Sequence, residues 1–166
     1  ELSAGERLPE DRIAAALECS RTPVREGLRR LEGEGIVCFV PGGGVRLASP
    51  TLQEMIDAYE VRTALECMAL RKVAERLTPL ILCRLRELVD RSGAIEGNEF
   101  PDLDAGFHLR IAEESGNAAL RDTLELLLAR TTVYRLLFGG TTKKDIAEIS
   151  TEHAAILEAL EQYDEE

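Results

Sequence analysis

Apolar residues recur at helical spacing over most of the chain, whereas β-branched residues gather in one short stretch near residue 40. From Thr51 onwards the apolar positions are three or four residues apart, which is typical of amphipathic helices. The predicted helices are Thr51–Arg76, Thr78–Arg91, Pro101–Glu114, Asn117–Phe138 and Lys143–Tyr163, and the predicted breaks include Ser92–Gly97 and Gly139–Gly140. Five helices joined by short loops, with no strand signal after Leu47, predict an antiparallel bundle.

The first 48 residues follow a different order. Leu8–Glu18 and Ser20–Gly33 have helical spacing, and glycines end the second of these segments. Ile36–Val40 and Val45–Leu47 are predicted strands, joined by a turn over Pro41–Gly44. The residues predicted to pack are Ile13, Ala16 and Leu17 in the first helix, and Val24, Leu28 and Leu31 in the second. Helix, turn, helix and hairpin predict a winged helix-turn-helix domain over residues 1–48, followed by an all-helical domain over residues 49–166.

The second helix concentrates positive charge near its start. Arg21, Arg25 and Arg29 are four residues apart, and with Thr22 they occupy a sector beside the apolar stripe. Ser20 is the predicted N-cap. A helix of this kind suits the major groove of DNA, although arginine-rich helices also occur simply as solvated faces.

The distribution of charge supports DNA as a partner although the whole chain has a net charge of −11. Residues 1–50 hold seven Arg and eight Asp or Glu, a net −1, and the remainder holds 13 Lys or Arg and 23 acids, a net −10. Because local charge governs phosphate and base contacts, the arginine helix is the predicted contact surface. The chain has no apolar run of about 20 residues and no visible signal peptide, so we expect a cytoplasmic protein without a membrane partner.

Four cysteines, Cys19, Cys38, Cys67 and Cys83, lie in apolar surroundings without a C-x-x-C pair. Buried free thiols are the favoured interpretation, with zinc ligation or disulfides as alternatives.

The helical domain carries a candidate metal site. Asp104 and His108 are four residues apart and share a face with apolar positions, and His153 lies on an apolar stripe of the last helix. Imidazole and carboxylate groups are suitable ligands for a divalent transition metal. Two buried histidines held by hydrogen bonds in a core remain the alternative.

Arg62 is the candidate effector-binding residue. It lies between apolar turns of the long first helix of the bundle, and a guanidinium is well suited to hold a carboxylate in two hydrogen bonds. An ordinary pair with Glu66, four residues on, is the alternative.

Two sets of residues resemble a known family. The matching residues are Leu8–Glu10, Ser20–Glu26, Leu31, Glu32, Gly35, Gly43 and Val45 in the first domain, and Tyr59–Arg62, Leu65, Glu66, Asp104, Phe107, His108, Ser115–Asn117 and Glu152–Ala159 in the second. The first set resembles the DNA-binding domain of the GntR family of bacterial transcription regulators, and the second resembles the effector-binding FCD domain of its FadR subfamily.

The resemblance implies a homodimeric regulator, most often a repressor, that binds double-stranded operator DNA and a small organic or sugar acid. It implies that Arg21, Thr22 and Arg25 contact the operator and that the wing tip at Gly42 and Gly43 enters the minor groove. It also implies Zn²⁺ or Ni²⁺ bound by one Asp and three His. Asp104, His108 and His153 match the first three of these ligands, and the fourth is expected on a later helix outside these 166 residues. The first helix of the family's DNA-binding domain is likewise expected outside them.

Two other functions fit parts of the sequence. A metal-dependent hydrolase would use Asp104, His108 and His153, although no general base is evident beside them. A structural helical dimer with an incidental metal is the third hypothesis.

Overall fold

The computed structural model describes residues 3–93, 100–139 and 142–163. They form three strands and seven helices. The strands are β1 (Arg7–Leu8), β2 (Val37–Val40) and β3 (Gly44–Leu47), and the helices are α1 (Glu10–Ala16), α2 (Arg21–Gly33), α3 (Leu52–Ala74), α4 (Pro79–Gly93), α5 (Phe100–Glu114), α6 (Ala118–Leu137) and α7 (Lys143–Glu161). The prediction of a mostly helical chain with a winged helix-turn-helix before a bundle is confirmed.

The small sheet forms the wing. β2 and β3 make the predicted antiparallel hairpin, in which Phe39 lies opposite Val45. The N-terminal strand β1, which the sequence did not predict, pairs with the other edge of β3 and places Leu8 opposite Val45. Two residues are too few to show a strand period, so only the tertiary pairing reveals this strand.

One apolar cluster joins this sheet to α1 and α2. Its buried members are Ala14, Val24, Leu28, Val37, Val45 and Leu47. Leu31 is partly buried against it, as is Leu137 from the distant helix α6. The predicted apolar stripe of α2 therefore packs as expected.

Two details of the predicted helices are wrong. Ser20 occupies the N-cap position of α2, but its side chain makes no capping hydrogen bond. The usual partner is the N–H of the second or third helical residue, and the third is Pro23, which has none. In α1, Ala14 is buried, whereas Ala16 and Leu17, which were predicted to pack, are exposed. The helix ends at Ala16, and Leu17 falls into the following turn.

The remaining five helices pack around a second apolar core. α3 begins with a capping box, in which Thr51 accepts a hydrogen bond from the Glu54 N–H and the Glu54 carboxylate accepts one from the Thr51 N–H. The fully or nearly fully buried members of this core are Ala69, Val73, Leu85, Phe107, Ile111, Ala112, Leu120, Leu124 and Leu128.

Helix α4 continues through Gly93, so the first two residues of the loop predicted at 92–97 are helical instead. Residues 94–97 of that loop, and Gly140 of the predicted Gly139–Gly140 break, lie outside the described residues.

The four cysteines are free, but the prediction that they are buried is wrong, because all four are exposed. Cys83 shows the reason: it lies midway between the buried Ile81 and Leu85, so the helical turn directs it away from the core. Cys38 alternates in the same way with the buried Val37 on strand β2. Apolar neighbours in sequence therefore do not by themselves predict that a residue is buried. The helical or strand period must also place that residue on the face that packs against the core.

Within the described residues, no helix combines the length and the apolar character required to span a bilayer.

The packing predicts a large difference between two leucines of α6. Leu124 is fully buried, whereas Leu126 is 47% exposed. Leu124→Ala leaves a cavity in the core and should lower the free energy of unfolding by about 2–5 kcal/mol, measured by urea denaturation. Leu126→Ala is the matched control and should change it by no more than about 0.5 kcal/mol. Equal effects of the two substitutions would contradict this packing.

Candidate functional site

The arginine face of α2 lies on the surface of the winged helix. The side chains of Arg21 and Arg25 are 72% and 65% exposed, and Thr22 is exposed beside them. Both arginines face acids on α1: Arg21 contacts Asp11, and the Arg25 Nε lies 3.7 Å from a Glu10 carboxylate oxygen. The two guanidinium groups are well exposed, so such ion pairs contribute at most about 1 kcal/mol each and leave the arginines accessible to another partner.

Arg29 is held differently from the other two arginines. It donates a hydrogen bond of 2.8 Å to Glu32, and its guanidinium carbon lies 3.8 Å from the centre of the Phe39 ring. Glu32 also accepts the Phe39 backbone N–H at 3.2 Å, and these two hydrogen bonds, that from Arg29 first, lower the pKa of Glu32. Arg29 therefore ties α2 to strand β2 in addition to facing solvent.

The turn between β2 and β3 forms an open tip. Gly42 has a φ of +70°, and no heavy atom lies within 4 Å of the point where a Cβ would stand. A Cβ at Gly43 would lie 3.0 Å from the Val40 side chain. The tip thus combines a left-handed backbone with open space at Gly42.

Asp104, His108 and His153 converge in the bundle, as the sequence predicts. The His153 Nε2 lies 3.2 Å from the His108 Nε2 and 3.4 Å from the Asp104 Oδ1, and the His108 Nε2 lies 3.7 Å from the same oxygen. Ligand atoms about 2.0–2.1 Å from a tetrahedral zinc ion would lie roughly 3.3 Å apart. The donor types and their separations therefore fit a divalent transition metal.

The outer hydrogen bonds of the histidines agree with that fit. The His108 Nδ1 lies 3.1 Å from a Glu66 carboxylate oxygen, which assigns the proton to Nδ1 and leaves the Nε2 lone pair directed at the cluster. A carboxylate behind a histidine is the usual support of a metal ligand. The His153 Nδ1 is buried and has no hydrogen-bond partner among the described residues.

Asp104 is a buried carboxylate that is nevertheless ionised. Burial alone would raise its pKa, but the neighbouring His108 and His153, together with the hydrogen bond and charge of Arg135, hold that pKa below its ordinary value. The shortest of these contacts joins the Arg135 Nη2 to the Asp104 Oδ2 at 2.6 Å. The group at the centre of the site therefore carries a permanent negative charge at neutral pH.

Arg62 is buried on α3 and 8% exposed. Its Nε donates to Glu66 at 2.7 Å, and its Nη1 donates to the Thr131 hydroxyl on α6 at 3.1 Å. The ion pair with Glu66, which was the alternative interpretation of Arg62, is thus present. It is largely buried, and it also includes His108, because the same Glu66 oxygen lies near both groups.

A cavity of about 260 Å³ connects these groups. Its lining includes Arg62, Glu66, Asp104, His108, Arg135 and His153, so two guanidinium groups and the three candidate ligands face one space. The volume lies just below the roughly 300–1,000 Å³ of sites for drug-sized ligands, which favours a small molecule.

Sequence reasoning missed Arg135 and Thr131. Both lie on α6, whose buried positions include Leu120, Leu124 and Leu128. Thr131 and Arg135 continue that stripe at further steps of three and four residues, so its period was the signal that would have found them.

Comparison with known proteins places this geometry in a family. A model for the FCD domain matches residues 57–166, and a model for bacterial regulatory proteins of the gntR family matches residues 1–47.

The chain belongs to the GntR family of bacterial regulatory proteins. The Nta operon transcriptional regulator of Aminobacter aminovorans is 36% identical over 76% of this chain and 61% of its own length. A Streptomyces ambofaciens HTH-type transcriptional regulator in an unstable DNA locus is 33% identical over 75% of this chain and 53% of its own length. The chain therefore spans less than two thirds of the length of these two relatives.

A solved GntR-family neighbour has the same fold. The structure of E. coli McbR/YncC is 25% identical, covers 96% of this chain and 78% of its own, and superposes with a TM-score of 0.78. The family models and the named relatives are transcription regulators rather than enzymes, and they give no support to a metal-dependent hydrolase.

The buried pair of Asp104 and Arg135 generates a stability prediction. Arg135→Met keeps the length of the side chain but removes the charged donor, so Asp104 loses its shortest hydrogen bond. We expect the free energy of unfolding of the metal-free protein to fall by about 2 kcal/mol, measured by urea denaturation.

Arg84→Met is the matched control for that substitution, because the Arg84 side chain is 48% exposed where it pairs with Glu114. Its effect should stay below about 1 kcal/mol. An Arg135 substitution no more costly than the Arg84 substitution would show that the two histidines alone compensate Asp104.

Proposed function

We propose that the chain is a ligand-responsive transcription regulator, most simply a repressor, that acts as a homodimer on operator DNA in the cytoplasm. The observation that carries the proposal is the pair of exposed arginines, Arg21 and Arg25, on a helix beside an open glycine tip. The domain boundary is proposed at residues 48 and 49, between the hairpin and the helix α3.

Arg21, Thr22 and Arg25 are the proposed base and phosphate contacts, with Arg29 as an additional contact and Gly42 and Gly43 at the minor groove. The exposure of Arg21 and Arg25 supports their role, since each is paired only with one acid of α1, Asp11 or Glu10, and such weak pairs are readily replaced. Arg29 has less freedom because Glu32 and Phe39 hold it. Of the three arginines, Arg29 should therefore contribute least to the affinity for DNA.

An exposed apolar stripe supports the homodimer. Leu52, Ile56 and Tyr59 lie on one face of α3 with Met55 between them, and they are 73%, 42% and 38% exposed. Contiguous apolar surface at a helix face is typical of protein interfaces. A two-fold axis would place two arginine helices in successive major grooves of a symmetric operator.

The DNA proposal predicts the effect of two substitutions. Arg25→Ala should weaken binding to the duplex selected by this protein from a random-sequence library by about 1–3 kcal/mol. Arg21→Ala in addition should weaken it further. Fluorescence anisotropy at fixed salt measures the affinity, and the stoichiometry should be two chains per duplex.

Arg71→Ala is the control for DNA binding, because Arg71 is an exposed arginine on α3, away from α2. It should leave the affinity unchanged. Unchanged affinity in the double variant of Arg21 and Arg25 would rule out the proposed surface.

For the bundle we propose a bound transition metal, Zn²⁺ or Ni²⁺, held by Asp104, His108 and His153. The separations of the three donor atoms support it, as does the carboxylate behind His108. Such an ion supplies a Lewis-acidic position for a carboxylate oxygen of an effector. Arg62 is the proposed second anchor of that small organic or sugar acid, since it lines the same cavity and carries donors in a planar fork.

Two variants separate the metal from the effector. His153→Ala should lower Zn²⁺ affinity by more than about 100-fold, since outer-shell changes alone cost 10–100-fold. Arg62→Met should bind Zn²⁺ with an affinity within about tenfold of wild type but lose the rise in melting temperature that a matching carboxylate produces by mass action. Isothermal titration with Zn²⁺ and thermal shifts with a panel of small hydroxy acids and sugar acids measure the two effects.

Glu148→Ala is the control for both, because Glu148 pairs with Lys144 on the surface of α7. It should change neither quantity. Undiminished Zn²⁺ binding by His153→Ala would exclude the proposed ligand set, and a full carboxylate response in Arg62→Met would exclude that residue as the anchor.

A further inference from the structure

Helix α6 is in contact with both parts of the molecule through different faces. Thr131 and Arg135, one turn apart, contact Arg62 and Asp104 in the cavity. Arg130 and Leu137, two turns apart, contact the winged helix instead. A rotation or shift of this one helix therefore moves contacts at both places.

The contact made by Arg130 lies at the end of the arginine helix. Its Nε donates a hydrogen bond of 3.1 Å to the carbonyl of Glu34, which is the C-cap residue of α2. The last carbonyls of a helix have no donor within the helix, and a cation there interacts favourably with the helix dipole. Arg130 therefore anchors the C-terminus of the helix whose first turns carry Arg21 and Arg25.

Gly35 allows this anchor to approach. It has a φ of +75°, and a Cβ at this position would lie 2.7 Å from the Arg130 Nη2. The guanidinium thus lies directly against the backbone that leaves α2. Because this contact is made with the backbone and not with a side chain, it fixes the position of the C-terminus of α2.

The other face of α6 contacts a charged group of the cavity. Arg135 is held by Asp104 at 2.6 Å, and Asp104 is also one of the three candidate ligands. A cation bound by Asp104 would share the negative charge that holds Arg135. The contact between α6 and α5 would then be weaker, and Arg130 lies on the same helix.

We infer that Arg130 is a positioning residue for DNA recognition: it transmits occupancy of the Asp104, His108 and His153 site, through α6, to the C-terminus of α2. The inference rests on the proposed function for its DNA readout. It extends that function by naming the contact through which the bundle acts on the arginine helix.

The test uses the full chain as wild type, Arg130→Ala, Arg130→Lys and the surface control Arg84→Ala. Zn²⁺ alone is the probe, and a chelator gives the metal-free state. Affinity for the selected duplex is measured in both states, and hydrogen exchange of the backbone amides of residues 31–37 is measured without DNA. Zn²⁺ affinity of each variant is measured by titration.

In wild type and Arg84→Ala, we expect Zn²⁺ to change duplex affinity by about fivefold or more and to change the exchange of residues 31–37. In Arg130→Ala, Zn²⁺ should still bind, but both changes should disappear. Arg130→Lys keeps a cation near the helix terminus and should retain part of them. A purely structural capping role would alter affinity and exchange equally with and without Zn²⁺.

A full Zn²⁺ effect in Arg130→Ala would overturn the inference, and so would the absence of any Zn²⁺ effect in wild type. Failure of the wild type to select a duplex would refute the proposed function instead, and the exchange measurement would then decide the inference alone. Should Arg130→Ala not fold, Arg130→Lys and Arg135→Met take its place. Arg135→Met removes the contact between α6 and Asp104 while leaving the Arg130 contact intact, and it should reduce the Zn²⁺ effect.

Discussion

Burying a carboxylate in an apolar bundle is the constraint on which the rest of this structure depends. Asp104 is 3% exposed, and an uncompensated charge at that depth costs several kcal/mol. Arg135 and two histidines compensate it, and they come from α6, α5 and α7. These contacts fix the three helices relative to one another at one point. The cavity remains there because apolar side chains cannot pack against the polar groups that line it.

The same compensation links regions that are far apart in sequence. Glu66 contacts both Arg62 and His108, and Arg62 in turn reaches Thr131. Each charge in the cavity is therefore shared between partners. A ligand that binds one of these groups changes the hydrogen bonds and ion pairs of the others. The network is therefore suited to transmitting the binding of a ligand as well as to stabilising the fold.

The predictions from sequence were most accurate for features that depend only on residues close together in the chain. The apolar period predicted the helices of the bundle to within a few residues, and the i,i+4 spacing correctly placed Asp104 beside His108. The predictions failed where the outcome depends on a partner elsewhere in the chain. The pairing of β1, the approach of Arg135 to Asp104 and the outward direction of Cys83 all follow from tertiary packing or from a period that was not applied. The roles of the site residues in binding remain predictions.

The acids on α1 have a consequence for the occupancy of DNA at the proposed surface. Asp11 and Glu10 occupy Arg21 and Arg25 in the free protein, so a duplex that binds there must first displace an internal mimic of phosphate. That penalty is the same for all sequences, so it lowers every affinity by the same factor and leaves the ratio between a matched and a random site unchanged. What changes is occupancy: weak random sites stay empty at protein concentrations that still fill a matched site.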